Sequence, residues 1–212
     1  MADKLKIWNA ALRICKERKL SSLTDNREPR RLLEDAWDDG VAGAVGSCLQ
    51  MGQWTFAMRT GMIDYSPSIT PGFGYRYAFD QPEDMVRVSA ICSDEYFRQP
   101  LLAYADERKY WYAALQTIYV RWVSNGASYG ADLSLWPESF RKLVEAYLAM
   151  EIVGNLTQGE NRIQIVERAF KEAERRAKSL DAMNKPTQYL PEGSWNRSRR
   201  GNSQASRAAG GI

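Results

Sequence analysis

The chain has 212 residues, 44% of them hydrophobic, and a formal net charge of only +3. This length suits one large domain or two small ones with a real core, and the net charge alone does not indicate nucleic-acid binding. The absence of histidine excludes Ser-His-Asp and Cys-His catalysis of the usual kinds, and it excludes His-ligated zinc, iron and copper sites.

The three cysteines, Cys15, Cys48 and Cys92, lie far apart, and no Cys-x-x-Cys occurs. We predict that they are reduced, buried small hydrophobes of a chain made in the cytosol. The N-terminus lacks the charged-then-apolar plan of a signal peptide, and no apolar run is long enough to cross a bilayer. We therefore expect no membrane partner.

Apolar residues at helical spacing predict four helices. Their predicted ranges are 5–19, 29–51, 137–156 and 160–183. The third helix opens at Pro137, which suits the first turn of a helix, and it carries Phe140, Val144, Tyr147 and Leu148 on a wide apolar face. We expect these four residues to belong to a core shared with the other helices.

Three glycines, Gly40, Gly43 and Gly46, lie inside the second predicted helix. A phosphate-binding loop is one interpretation, but the stretch lacks the Lys of GxxxxGK[ST] and the spacing of GxGxxG. The favoured interpretation is a close helix crossing, although each glycine costs about 1 kcal/mol relative to Ala.

Between the helix pairs, residues 54–131 predict a small antiparallel β insertion. The strand candidates are residues 54–59, 86–90, 109–113 and 117–123, and residues 66–74 form a loop rich in Gly and Pro. In the last strand Ile118, Val120 and Trp122 share one face. The predicted fold class is therefore mainly α with a β insertion (α+β). The predicted organisation is helices 1–2 in residues 1–53, the insertion in 54–131, helices 3–4 of a four-helix bundle in 132–185, and an extended C-terminal arm in 186–212.

Two charged segments are candidates for chemistry. Glu34, Asp35, Asp38 and Asp39 form i,i+4 pairs on a helix and could hold Mg²⁺, but no second acidic motif faces them, so a solvated or Arg-paired face is favoured. The segment after Pro186 is rich in Gly, Ser, Asn and Arg and cannot bury enough surface to fold alone. It could bind nucleic acid, serve as a solubilising end, or dock on a protein, and we favour docking.

The insertion is also too small to bury all of its aromatic rings, so some of them are expected at an interface. The rings concerned are Tyr75, Tyr77, Phe79, Tyr96, Phe97, Tyr104, Tyr110, Trp111 and Tyr112.

Three stretches carry a resemblance to a known family. They are residues 50–57 (QMGQWTFA), residues 75–88 with their aromatic run and Pro82-Glu83-Asp84, and residues 137–156, which begin Pro-Glu-Ser-Phe. In this order the chain resembles the head-to-tail adaptor family of short-tailed bacteriophages, often called tail tubular protein A. The likeness covers nearly all of residues 4–185, and the tail beyond Pro186 matches no motif.

The resemblance implies a structural protein without catalysis, metal or cofactor. Such proteins form a dodecameric ring between the portal protein and the tail nozzle, at the head–tail junction of the virion, with a bore for DNA. They are assembled in the host cytoplasm, and tail fibres are a further partner that the resemblance leaves open. The alternative is a cytosolic helical nucleic-acid-binding protein, or a Mg-dependent enzyme that uses the acidic helix 34–39.

The resemblance also suggests where the contacts lie, with no residue assigned to the DNA bore. The expected portal-binding residues of the arm are Tyr189, Leu190, Trp195, Arg197, Arg199 and Arg200. The expected residues of a nozzle or neighbour interface are Phe73, Tyr75, Tyr77, Tyr96 and Phe97.

Overall fold

The computed structural model describes residues 3–38, 43–72, 74–157 and 159–184. Within these ranges the chain is mixed α+β, with five helices and two small three-stranded antiparallel sheets. The helices are α1 (Lys4–Ile14), α2 (Glu28–Asp38), α3 (Ala44–Gln50), α4 (Glu138–Leu156) and α5 (Glu160–Met183). The strands are β1 (Met58–Asp64), β2 (Tyr77–Asp80), β3 (Met85–Cys92), β4 (Tyr104–Glu107), β5 (Tyr110–Ala113) and β6 (Thr117–Ser124).

Helix α4 is the centre of the helical part, because it packs against α1, α2, α3 and α5. Phe140, Val144 and Leu148 are fully buried, and Tyr147 is partly buried against the same core. The predicted role of this helix in the core is confirmed. Pro137 lies just before the first turn rather than in it, with an extended backbone (φ −60°, ψ 149°), because its fixed φ suits the N-cap as well.

The second predicted helix was wrong in its continuity. Gly43 has an extended backbone (φ −61°, ψ 167°) and is the N-cap of α3, so α2 and α3 are separate helices. Glycine pays the largest backbone entropy in a helix, which makes this stretch a favourable place for a break. The first predicted helix was too long, because α1 ends at Ile14 and Lys16 adopts a left-handed conformation (φ 60°).

The β part was predicted as one small insertion, but it forms two sheets. The first sheet has the strand order β1–β6–β3 and the second has the order β2–β5–β4. Predicted strands 86–90, 109–113 and 117–123 correspond to β3, β5 and β6, whereas β2 and β4 were not predicted. We call residues 58–124 of these two sheets and their loops the β module.

The predicted strand over residues 54–59 was wrong at its start, because Thr55–Ala57 form a 3-10 turn and β1 begins at Met58. The buried Trp54 donates its indole N–H to the carbonyl of Cys48 at 2.9 Å, and its ring lies 5.1 Å from that of Phe140. These tertiary contacts hold Trp54 in the helical core, so the strand begins later in the sequence than predicted.

The cysteines agree with the prediction: Cys15, Cys48 and Cys92 are buried and free of disulfides. Burial raises the pKa of the Cys15 thiol to about 11, so this thiol stays protonated and unreactive at neutral pH.

Candidate functional site

The first sheet lies between two hydrophobic cores, and its strand β6 contributes buried side chains to both of them. Ile118, Val120 and Trp122 face the core between the two sheets, whereas Val123 belongs to the helical core. Because side chains alternate along a strand, Val123 shares its face with Tyr119 and Arg121. The helices therefore cover this outer face of the sheet at the Val123 end only.

The other end of the same face is open on its β1 side, whereas Cys92 on the β3 side is buried. The register aligns Met62, Tyr119 and Cys92 in one row across β1, β6 and β3. Met62 is 61% exposed, which is unusual for a large apolar side chain on a sheet. The same face also carries the polar residues Thr60 and Asp64 of β1, so Met62 is its one large exposed apolar side chain among the described residues.

A loop after β3 presents two aromatic rings beside this open face, and we call residues 94–99 the aromatic loop. Phe97 has a positive φ of 57°, and its ring centre lies 4.4 Å from the guanidinium carbon of Arg121. Tyr96 is 70% exposed. A non-glycine residue at positive φ persists only when the surrounding structure holds it there.

Asp94 supplies that support. Its carboxylate accepts hydrogen bonds from the backbone N–H of Arg98 at 3.0 Å and of Gln99 at 2.7 Å. Desolvation opposes the charge on Asp94, but hydrogen bonds from Arg98 and Gln99 outweigh it and lower the pKa of this carboxyl. The loop is therefore internally bonded, and Tyr96 projects from it.

The four predicted interface aromatics that the structure describes do not form one cluster. Tyr96 and Phe97 lie in the aromatic loop, next to the first sheet. Tyr77 belongs to the second sheet, where its ring lies 4.8 Å from that of Tyr65. Tyr75 is half-buried at the edge of a shallow pocket under the loop that precedes β2. Phe73 lies outside the described residues.

Several aromatic residues of the β module belong to its core rather than to a surface. Phe79 and Trp111 are fully buried between the sheets. The indole N–H of Trp111 donates to Asp106 at 3.1 Å. Tyr104, by contrast, is exposed on the edge strand β4. The aromatic rings of the β module are thus divided between its core and its surface, and the predicted interface role of the exposed rings stays a prediction.

Two acidic residues of α2 are engaged in ion pairs, whereas Asp35 is exposed. Glu34 pairs with Arg30, one turn earlier on the helix. Asp38 pairs with Lys4 at 3.2 Å, and Asp39 lies outside the described residues. Among the described residues, no three metal-ligating side chains of the His, Cys, Asp or Glu type come together. The observed pairing fits a structural role for this helix face.

Asp84 is a functional candidate that sequence reasoning missed, although it lies in the Pro-Glu-Asp stretch. Its carboxylate accepts hydrogen bonds from Arg59 of β1, at 2.7 Å, and from Ser124 at the end of β6. The hydroxyl of Ser124 in turn accepts from the backbone N–H of Gly126 at 3.0 Å. Asp84 therefore ties β1, β6 and the entry to β3 together at the Val123 end of the first sheet.

The helical part has a second partly apolar surface, along α4 and α5. A groove between the two helices has Ala169, Ala173 and Leu180 in its lining, with charged residues of both signs around them. Ile165 and Met183 are also large apolar residues of α5 that remain exposed. The structure thus leaves α5 covered mainly on its α4 side.

The predicted residues of the arm cannot be positioned. Tyr189, Leu190, Trp195, Arg197, Arg199 and Arg200 all lie outside the described residues. Their predicted role therefore stays a prediction.

Comparisons with known proteins give no family for this chain. A scan against protein-family models finds no match, and no curated protein matches the sequence. No helix among the described residues is long and apolar enough to cross a bilayer. Function must therefore be argued from the surfaces described above and from the resemblance in sequence.

Proposed function

We propose that this chain is a structural head-to-tail adaptor, which forms a ring between the portal and the tail nozzle of a short-tailed phage and leaves a bore for DNA. The observation that carries the proposal is the aromatic loop. Tyr96 is 70% exposed on a loop bonded through Asp94, beside an open sheet face that carries Met62. Residues held in this way suit a protein interface better than a small-molecule site.

The physical reason is the low cost of ordering such a surface. A tyrosine on a preorganised loop loses little conformational entropy when it binds, and Tyr is enriched among the residues that dominate interface energies. Arg121 is stacked on Phe97 and adds a cation that can pair with a partner's carboxylate. We assign this open face to a neighbouring subunit or to the nozzle.

A closed ring needs two different complementary surfaces on each copy, because head-to-tail contacts repeat around the axis. The open face of the β module is one such surface, and the α4–α5 groove supplies a second. In the proposed architecture the helices form a four-helix-bundle-like body, the β module is inserted in it, and residues 186–212 form an arm. The arm residues Tyr189, Leu190, Trp195, Arg197, Arg199 and Arg200 are assigned to the portal.

This function requires neither catalysis nor a cofactor, and it locates the protein in the virion at the head–tail junction. Its partners are copies of itself, the portal, the nozzle and the DNA that passes through the bore. The carboxylates of α2 fit this structural role, since Glu34 and Asp38 are already paired within the chain.

The experiment compares Tyr96→Ala with wild type in assembly on purified portal rings of the same virus in the presence of its purified nozzle protein, followed by sedimentation. We expect the variant to fold normally, because its side chain is mostly exposed, and to lose most of its assembly with neighbours or nozzle. Leu23→Ala is the matched control, since Leu23 is an exposed apolar residue of the turn before α2. Wild-type assembly by Tyr96→Ala would contradict the proposal.

A further inference from the structure

The outer edge of β1 is open in the part of the chain that the structure describes. Just past β1, the N–H of Tyr65 donates to the carbonyl of Gln116 at 3.0 Å and so continues the β1–β6 ladder. An antiparallel ladder bonds alternate residues, so odd-numbered residues of β1 face β6. The backbone groups on the open side belong to Thr60, Met62 and Asp64.

The other sheet edges are protected. The N–H of Leu101 donates to the carbonyl of Ile91 at 2.9 Å, and β3 also has two register irregularities. The carbonyl of Ala78 in β2 accepts from Ser66 at 2.7 Å. Strand β4 has only four residues and ends in a charged turn. Natural sheets protect their edges by such means, whereas β1 has seven residues in regular register with no bulge, Pro or Lys.

The last turn of helix α5 contacts the turn that precedes this open edge. Asp181, in its last turn, accepts hydrogen bonds at 2.9 Å from the backbone N–H and from the hydroxyl of Thr55. Thr55 is the first residue of the 3-10 turn Thr55–Ala57, and β1 begins directly after this turn at Met58. The 28 residues from Lys185 to Ile212 therefore continue from a point beside the beginning of β1.

We propose that residues 187–190 of the same copy add to the open edge of β1 as a parallel strand. Their sequence, Thr-Gln-Tyr-Leu, lies between Pro186 and Pro191. Proline lacks an N–H and is confined to strand ends, and a residue that precedes proline favours extended backbone. Four residues span about 13 Å as a strand, which matches the open stretch from Thr60 to Asp64.

This strand pairing goes beyond the adaptor proposal, because it holds whether or not the chain forms a ring. It uses backbone groups, so side chains of residues 187–190 remain available to a partner. It also fixes the root of the arm on the β module and leaves Trp195 and the arginines beyond it free to reach the portal. The arm would then leave the body in a defined direction.

Hydrogen exchange of individual amides, measured by NMR on the full chain and on a variant that ends at Asn184, tests this pairing. We expect exchange in the truncated chain to be faster by about tenfold or more on the open side of β1. Only two of the four residues of the added strand face β1, so protection falls for a subset of the amides of Thr60, Met62 and Asp64. The amides of Arg59, Gly61 and Ile63, which face β6, are the internal control and should keep their rates.

A second variant keeps the full length. The double variant Gln188→Pro, Tyr189→Pro removes two successive backbone N–H groups, one of which points toward β1 in either register. The double variant Asn202→Pro, Ser203→Pro is the matched control. The first pair should reproduce the effect of truncation and the second should not. Equal exchange in full-length and truncated chains, or a uniform change along β1, would overturn the pairing. Loss of protection on dilution of the full chain would overturn the assignment to the same copy, because another copy would then supply the strand.

Discussion

Asp181 and Thr55 are hydrogen-bonded to each other, although 126 positions separate them in the sequence. The buried carboxylate of Asp181 accepts from both the N–H and the hydroxyl of Thr55, each at 2.9 Å. The contact fastens the last turn of α5 to the turn that opens β1. It therefore couples the helical part of the molecule to the β module.

Removing this carboxylate should destabilise the protein. Asp181→Ala leaves the N–H of Thr55 without its acceptor in a partly buried site, and we expect a loss of about 1–3 kcal/mol in the free energy of unfolding. Asp35→Ala is the control, since Asp35 is exposed on α2. Urea denaturation of both variants measures the difference. Equal stability of the two variants would show that the contact contributes little.

Leu148 tests the central place of α4. Its side chain is fully buried among the other helices, so Leu148→Ala removes apolar contacts and leaves a cavity. We expect a loss of about 2–5 kcal/mol, as in other buried Leu truncations. A change below about 0.5 kcal/mol in urea unfolding would mean that α4 is placed wrongly.

Asp84 should make stability depend on pH. Burial disfavours its charge, but hydrogen bonds from Ser124 and Arg59, with the charge of Arg59, outweigh it and lower the pKa of this carboxyl. A lowered folded-state pKa contributes stability above the unfolded value of about 4, and the contribution is lost as pH falls through the folded value.

We therefore expect Asp84→Asn to cost about 1–3 kcal/mol at pH 7. The difference in the free energy of unfolding between variant and wild type should become smaller below about pH 4. If this difference in the free energy of unfolding stays constant from neutral to acid pH, the ionisation of Asp84 is not what stabilises the β module.

Glu145 should lower the stability of the fold at neutral pH, which is the opposite of the effect expected for Asp84. Burial raises the pKa of this carboxyl on α4, despite the nearby cations Arg141, Arg13 and Lys142, and the charge of Glu138 adds to the rise. A carboxyl with a raised folded-state pKa lowers stability above that value, and the penalty disappears as pH falls below the unfolded value of about 4.3.

Glu145→Gln should therefore be more stable than wild type at pH 7, with an advantage that shrinks toward pH 4. Glu167→Gln, at an exposed position of α5, is the control and should show no such trend. Thermal unfolding of both variants and of wild type between pH 7 and pH 4 measures these differences in stability. A variant less stable than wild type at pH 7 would mean that the pairing with Arg141 outweighs the burial.

The arm is tested by truncation after Lys185. All five described helices end by Met183, so helix content by circular dichroism should not change. Attachment to portal-bearing heads should be lost, because the apolar anchors and arginines of the arm are gone. Unimpaired attachment would refute the portal assignment. Loss of a steeply salt-dependent affinity for duplex DNA would instead indicate nucleic-acid binding.

The parts of the fold with strong local patterns could be predicted from the sequence. Helices α4 and α5 agree with prediction because their apolar periodicity is long, and β6 agrees because Ile118, Val120 and Trp122 alternate cleanly. Strands β2 and β4 have four residues each, too few for a clear pattern. The 3-10 turn at Thr55 could not be foreseen, because Asp181 and the buried Trp54 determine it from afar.

The candidate site was predictable in part. Tyr96 and Phe97 were singled out because a small sheet cannot bury so many rings. The exposure of Met62 depends on where the helices stop covering the sheet, which no local pattern encodes. The role of Asp94 had a local signal, since an Asp that precedes a turn commonly accepts from backbone N–H groups a few residues later.

We propose above that this chain assembles as a ring on a portal. The most direct measurement is the mass of the pure protein, whose chain is 24.1 kDa, alone and with intact portal rings of the same virus. We expect a closed ring whose mass is a whole multiple of one chain, bound to the portal. A chain that stays monomeric and unbound beside intact portal rings would contradict it.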